Sequence, residues 1–318
     1  MARSPPLHTD PNLKNSWGVA FNRQGFVWVA NNGSQTATLY DGNGVVQTLV
    51  VAIAPSASGS ANPTGIVFNK GPDLLIARNG KSDVAAFVFA DEGGSITAWA
   101  PAVDMTHAFT VVDSSASGAV YKGLAIASVA AGHRLYATDF HNNRIDVFDG
   151  TFTKIDVPGG FRDPQIPAGF APFGIQTIGS RIFVTYAKQD DDMHDDVPGA
   201  GNGFIDIFDA DGNLVQCFAR NGALNAPWGI AQAPGNLGTY SNDILIGNFG
   251  DDMINAFDPN TGALIGQLSN TDGAPIVQRG LWDMVFGNDL NAQPSNPLFF
   301  AAGPNFEADG TYGCIDMQ

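Results

Sequence analysis

The chain has 318 residues, 44% of them hydrophobic and 14% charged, enough apolar surface for a large core and too much for a disordered polymer. Its formal charge of −16 and pI near 4.3 oppose non-specific attraction to nucleic acid or anionic membranes, both of which need clustered Lys and Arg. The two cysteines, Cys217 and Cys314, form no disulfide framework and lack zinc-site spacing, so each reads as a small buried apolar residue.

In chain order, the opening "MARSPPLHTDPNLKNSW" lacks the apolar middle of a signal peptide. No run of about 18 apolar residues is present to span a membrane. Acidic pI, few lysines and abundant Gly and Asn point to an exported protein in mature form, extracellular or periplasmic. From residue 16 one phrase is written six times: "SWGVAF" at 16, "PTGIVF" at 63, "YKGLAI" at 121, "PFGIQT" at 172, "PWGIAQ" at 227 and "LWDMVF" at 281. The residue before its Gly, replaced by Asp283 in the last copy, recurs every 47 to 58 positions, a period of arrays and propellers. No linker or composition break interrupts the series, so residues 1–318 read as one domain.

Each unit continues with a second strand-length run: "FVWVANN", "LLIARNG", "RLYATDFH", "RIFVTYAK", "ILIGNFG" and "PLFFAAGP". These are rich in β-branched and aromatic residues. A third run stops at Asp/Asn/Gly turns, as in "ATLYDGNG", "FVFADEGG" and "INAFDPNTG", the chemistry of tight hairpins. A fourth, "VVQTLVV" or "SITAWA", completes four strands. The expectation is all-β: a six-bladed β-propeller of four-stranded antiparallel blades. The last unit is one strand short, so "LHTDPNLKN" is expected to supply its outer strand and close the ring.

"PWGIA" with "ILIGNFGDDMINAFD", and "GLAI" with "RLYATDFHNNRIDVFD", resemble NHL-repeat propellers and, more loosely, the gluconolactonase and paraoxonase superfamily. The chain is also similar to a group of exported bacterial propellers without assigned activity. The resemblance covers nearly all the chain and implies the fold; the same frame carries lactonases, lyases, synthases and binding modules.

In a propeller the innermost strand begins at the channel mouth, and the loop after the second strand returns there. That places Trp17, Thr64, Lys122, Phe173, Trp228, Trp282 and Arg279 on one rim, with Asn31, Asn32, Arg78, Asn79, Asp139, His141, Tyr186, Lys188 and Asn248. Only 15 Lys and Arg exist, and four fall on this rim. Aromatic faces flanked by fixed cations suit a flat or sugar-like ligand with an anionic or strongly polar group. The alternative is that the aromatics cap the channel and the cations pair with neighbouring Asp. Long connections near 101–120, 158–171 and 187–202 share that face, as lids or as tolerated insertions.

"KQDDDMHDDVPGAGNG" at 188–203 gathers Asp190, Asp191, Asp192, Asp195 and Asp196 around His194. Such a loop is a solvated acidic lid or a site for a divalent cation such as calcium, with Asp190, Asp192 and His194 as candidates. It lacks the Gly of an EF-hand loop. Similarity to metal-dependent lactonases implies a channel Glu, and "NSWGVAF" has none; Asn31, Asn62, Asn248 and Asp139 remain as oxygen donors. No G-x-S-x-G occurs, nor any phosphate-loop or dinucleotide pattern between a strand and a helix.

Two functions follow. One is a lyase or hydrolase acting on a small polar, anionic or aromatic molecule, with His141, Asp139, Tyr186 and Lys188 as acid–base groups. Arg78 with Lys122 would then clamp the anion, with Arg279, Trp17, Phe173, Trp228, Trp282, Asn31 and Asn248 as further substrate-binding residues. The other is a non-catalytic module whose tryptophan rim binds carbohydrate or a partner protein.

Overall fold

In the computed structural model, which describes residues 6–22 and 25–316, the regular elements are strands apart from two single-turn 3-10 helices. β1 (Ser16–Phe21), β2 (Val27–Asn31), β3 (Thr36–Tyr40) and β4 (Val46–Ile53) form an antiparallel meander. β5 (Pro63–Phe68) does not pair with the apolar run that follows it. That run folds back as a separate hairpin, β6 (Leu75–Arg78) with β7 (Lys81–Val84), and β5 pairs with β8 (Phe87–Asp91). β9 (Ser95–Trp99) and β10 (His107–Asp113) complete the second meander. β10 then runs parallel to β4, His107 opposite Ala52 and Ala108 opposite Ile53. The two meanders thereby fuse into one eight-stranded sheet with β1 and β5 at its ends. Because those ends pack against each other, the sheet nearly closes on itself.

Three separate four-stranded blades follow. They are β11 (Tyr121–Val129) to β14 (Lys154–Ile155), with β12 (Gly132–Asp139) and β13 (Arg144–Phe148) between; β15 (Phe170–Ile178), β16 (Arg181–Lys188), β17 (Phe204–Phe208) and β18 (Leu214–Arg220); and β19 (Pro227–Gln232), β20 (Ile244–Asn248), β21 (Ile254–Phe257) and β22 (Leu264–Gln267). The last blade has three strands, β23 (Leu281–Phe286), β24 (Leu298–Ala302) and β25 (Thr311–Ile315).

The architecture is thus an all-β propeller of four blades plus a nearly closed eight-stranded sheet, which corrects the expected ring of six four-stranded blades. The fusion comes from β10, which forms within the long connection near 101–120. Asp104 accepts the amides of Thr106 and His107 and turns β10 alongside β4, satisfying an otherwise bare sheet edge. The closing strand expected from "LHTDPNLKN" does not form. Asp10 Oδ1 accepts the Asn12 amide, Asn15 is left-handed at φ 42°, and the segment is a series of turns. The ends meet through Asn15 N–H donating to the Asp309 carbonyl at 3.0 Å instead.

The repeated Gly has a steric cause. A Cβ on Gly18 would meet the Thr64 carbonyl, one on Gly123 the Phe173 carbonyl at 3.0 Å, and one on Gly229 the Trp282 carbonyl at 2.6 Å. Gly174 faces the Trp228 carbonyl in the same way. Each phrase therefore lets its inner strand approach the backbone of the next. β1, β5, β11, β15, β19 and β23 pack on one another in that order, and β23 returns to β1. At this last contact Asp283 replaces Gly, and its carboxylate accepts the Val19 amide at 2.8 Å. The second strands β2 and β20, with β8 and β17, are buried at every position, as befits sheets packed on both faces.

Candidate functional site at the hub mouth

The first residues of the inner strands converge on an aromatic floor. Trp17 stacks on Trp282 with ring centres 3.4 Å apart, and Phe249 stacks on the same indole at 3.9 Å. Phe173 and Trp228 meet Trp282 edge-on. Trp17, Trp228 and Trp282 are 2%, 6% and 1% exposed, so no tryptophan platform faces solvent. Trp228 Nε1 donates to the Lys122 carbonyl at 2.9 Å, and Trp282 Nε1 to Asn15 Oδ1 at 3.3 Å. Trp17 Nε1 is buried without a partner.

Lys122 stands on this floor, its Nζ 5.3 Å from the Trp17 ring centre and its side chain 2% exposed. The ammonium pairs with Glu92, and with Asp195 Oδ1 at 3.0 Å. Desolvation opposes its charge, but Glu92 and Asp195 together outweigh it and hold its pKa above the ordinary lysine value. Asn32 Nδ2 donates to Glu92 Oε2 at 2.7 Å, and Asn15 Nδ2 to Glu307 Oε2 at 3.0 Å. His194 Nδ1 lies 3.0 Å from Asp195 Oδ1. One ligand atom from each of Glu92, His194 and Asp195 fits within 4.8 Å, although the Lys122 ammonium already lies against two of the three.

Protonation equilibria in this cluster diverge. The hydrogen bond from His194, aided by Lys122, holds Asp195 well below the usual carboxylate range against the cost of burial. The same contact raises His194. Asp196, next in the chain, is pushed up to about 7, first by desolvation and then by the Asp195 charge against the pull of Lys122; its Oδ2 has no partner. Glu307 rises through burial and the nearby Glu92 charge. It belongs to a turn in which Asn305, Phe306 and Glu307 are all left-handed, and Phe306 is wholly exposed.

Other expected site residues lie elsewhere. Arg78 is exposed on the β6–β7 hairpin, its guanidinium 4.9 Å over the Phe109 ring. Arg279 is exposed beside Asp252. Asn31 is bonded inside its own sheet to Ser16 and Thr38, and Asn248 donates to the Ala223 carbonyl at 2.7 Å. Asp139 organises its turn, accepting from Val120 N and Asn142 and pairing with Arg144 at 3.0 Å; burial raises its pKa. His141 is half-buried against Gly118. Tyr186 is buried among Tyr136, Phe161 and Phe204, and Lys188 is exposed at the end of β16. Among the described residues no hydrogen bond or ion pair joins any two of Asp139, His141, Tyr186 and Lys188. In the acidic loop Asp190 Oδ1 accepts the amides of His194 and Asp195, Asp192 is exposed, and His194 alone of the metal candidates joins the mouth cluster.

Glu92, Glu307 and Asn15 are the mouth residues sequence reasoning passed over. Glu92 follows β8, the second strand of its meander, at the place given to Arg78 when "LLIARNG" was read as that strand. The signal is "FVFADEGG", whose Asp–Glu occupies at the end of β8 the position of Asn31–Asn32 at the end of β2.

The fold defines the class as a β-propeller. Solved structures similar to it include a glucose dehydrogenase (TM-score 0.57, 11% identity, 96% of this chain and 98% of that one). Others are the nidogen/laminin complex (0.54, 13%, 85% and 84%) and streptogramin B lyase (0.51, 13%, 96% and 96%). At such identity these likenesses describe the fold alone. No family model matches the chain. It is 35% identical to "Uncharacterized protein R648" of Acanthamoeba polyphaga mimivirus over 97% of this chain and 76% of that protein. It is 33% identical to "Uncharacterized protein L690" of the same virus over 97% and 81%. The chain belongs to the family of these proteins. No helix is long and apolar enough to cross a membrane among the described residues.

Proposed function

We propose that the hub mouth is the active site of a hydrolase- or lyase-type propeller working by acid–base catalysis on a small polar substrate. The observation that carries this reading is the unlike surroundings of two adjacent carboxyls, Asp195 against His194 and Lys122 and Asp196 with an unpartnered oxygen. Asp195 is held ionised by His194 and Lys122, while Asp196, one residue away, is raised to about 7 with a free oxygen. Two carboxyls with separated equilibria are the equipment for donating a proton and stabilising charge in one turnover. Lys122 is neutralised by Glu92 and Asp195, so it offers no free positive charge to an anionic substrate, which favours a neutral one. The buried tryptophans leave the carbohydrate platform without a stacking surface.

The test is a turnover screen across lactones, esters and unsaturated polar compounds, repeated with Asp196→Asn. Removing a general acid lowers turnover by roughly 10²–10⁴-fold, with the melting temperature of the variant no lower than that of the parent. A parent chain inert across the panel, or an Asp196→Asn variant at full rate, overturns the assignment.

A further inference from the structure

A second cluster, away from the mouth, has buried polar atoms without partners. On the β15–β18 blade, Arg220 Nη2 pairs with Asp163 Oδ2 and, at 3.2 Å, with Asp206 Oδ1. Both carboxyl side chains are fully buried. Gln165 N–H donates to Asp163 Oδ1 at 2.8 Å on the loop preceding β15, and the Cys217 thiol donates to Asp163 Oδ2 at 3.6 Å. Three polar atoms here have no partner: Asp206 Oδ2, Tyr186 Oη and Arg220 Nη1. Asp206 is 0% and Tyr186 4% exposed. Native interiors seldom leave such groups unpaired, so each of the three calls for a partner.

Position and charge indicate what that is. Ligand atoms of Asp163, Asp206 and Cys217 all lie within 4.8 Å of one another; tetrahedral ligands about 2.0–2.3 Å from a zinc-like ion stand about 3.3–3.8 Å apart, so a small inward rotation closes the set. Arg220 Nη2 holds Asp163 Oδ2 and Asp206 Oδ1, and the Gln165 N–H holds Asp163 Oδ1; these contacts fix the two carboxyls as outer support does for metal ligands and leave Asp206 Oδ2 unpartnered. Two carboxylates and one guanidinium leave one negative charge, and a thiolate makes two. A divalent ion cancels that sum. The Cys217 proton leaves to solvent through the half-exposed side of the cluster as the metal–sulfur bond forms.

We infer that Asp163, Asp206 and Cys217 form a binding site for a divalent transition cation of the zinc class. The fourth position of a tetrahedral ion is left to water or to a small anion. The sulfur ligand selects a borderline-soft ion over calcium or magnesium.

Cobalt(II) is the probe, added to the whole chain carrying Cys314→Ser, so that Cys217 is the one remaining thiol. The expected result is one cobalt per chain, with thiolate-to-cobalt charge-transfer absorption and the intense visible bands of a tetrahedral ion. Zinc should displace it, and bound metal should slow alkylation of Cys217 at least tenfold. Cys217→Ser, nearly isosteric and half-buried, should abolish the charge-transfer band, and Asp206→Asn should weaken binding at least tenfold. Cobalt bound without that band, as surface carboxylates or His194 would bind it, overturns the site. So does a charge-transfer band that survives Cys217→Ser, or an alkylation rate unchanged by zinc.

Discussion

Lys122 is the residue whose surroundings decide most about the mouth. It is fully buried, faces two carboxylates and sits against an indole. Replacing it by Met keeps the stem volume but leaves Glu92 without its cation in a half-dry environment. Asp195, 66% exposed at its side chain, is screened by water and adds little. The expected cost is about 3 kcal/mol, at the low end for breaking a buried pair, read as a shift in the urea midpoint at unchanged slope. Lys122→Met combined with Glu92→Gln should recover more than half of that loss, since the orphaned charge is then gone. A double variant no more stable than the single one would mean that packing against Trp17, not charge, is what Lys122 supplies.

At the scale of the element, closure of the hub turns on one substitution within the repeated phrase. Four of the phrases put Gly against a neighbouring carbonyl, whereas Asp283 reaches β1 with its side chain and takes the Val19 amide. Asp283→Ala deletes that hydrogen bond and leaves a buried amide unpaired, a loss of about 1–3 kcal/mol. Gly229→Ala instead drives a methyl into the Trp282 carbonyl and should destabilise by at least as much; thermal unfolding of both variants against the parent checks the pair. The same phrases explain why the inner strands could be read from the sequence: a Gly at one fixed place in five of the six, flanked in three of them by an aromatic and a β-branched residue, records a close backbone approach that nothing else satisfies. "LLIARNG" carried no such record. Its composition suits a blade strand, yet Leu74 and Ile76 bury themselves as a side hairpin, and every assignment after it in that unit moved by one strand. Arg78 was consequently placed where Glu92 belongs. The acidic loop was visible as composition, but its pairing with Lys122 spans 73 residues, a relation only the closed hub creates. The parallel β4–β10 contact likewise depends on where two loops end.

Across the whole molecule, burial has moved several carboxyls far from their ordinary equilibria, and the net charge is −16. Desolvation raises Asp91 to about 8 and Asp196 and Asp283 to about 7, in each case against hydrogen bonds or a cation that pull the other way. In the unfolded chain these groups lose their protons near pH 4. Between about pH 4 and pH 7–8 the native state therefore holds more protons than the unfolded state, and stability must fall as pH rises through that window. Asp195, with Asp113 and Asp149, has a folded pKa below its ordinary value, so their contribution is lost as pH drops below about 4. Self-repulsion among the excess carboxylates reinforces the loss on the alkaline side. The two trends meet in a stability maximum at about pH 4, and the chain should melt at a higher temperature at pH 5 than at pH 8. Asp283→Asn, which retains an acceptor for the Val19 amide but cannot ionise, should flatten the decline above pH 5. Calorimetric scans of parent and variant at half-unit pH steps make the comparison; a melting temperature that rises steadily to pH 8 in both would mean that these carboxyls are ionised in the folded protein.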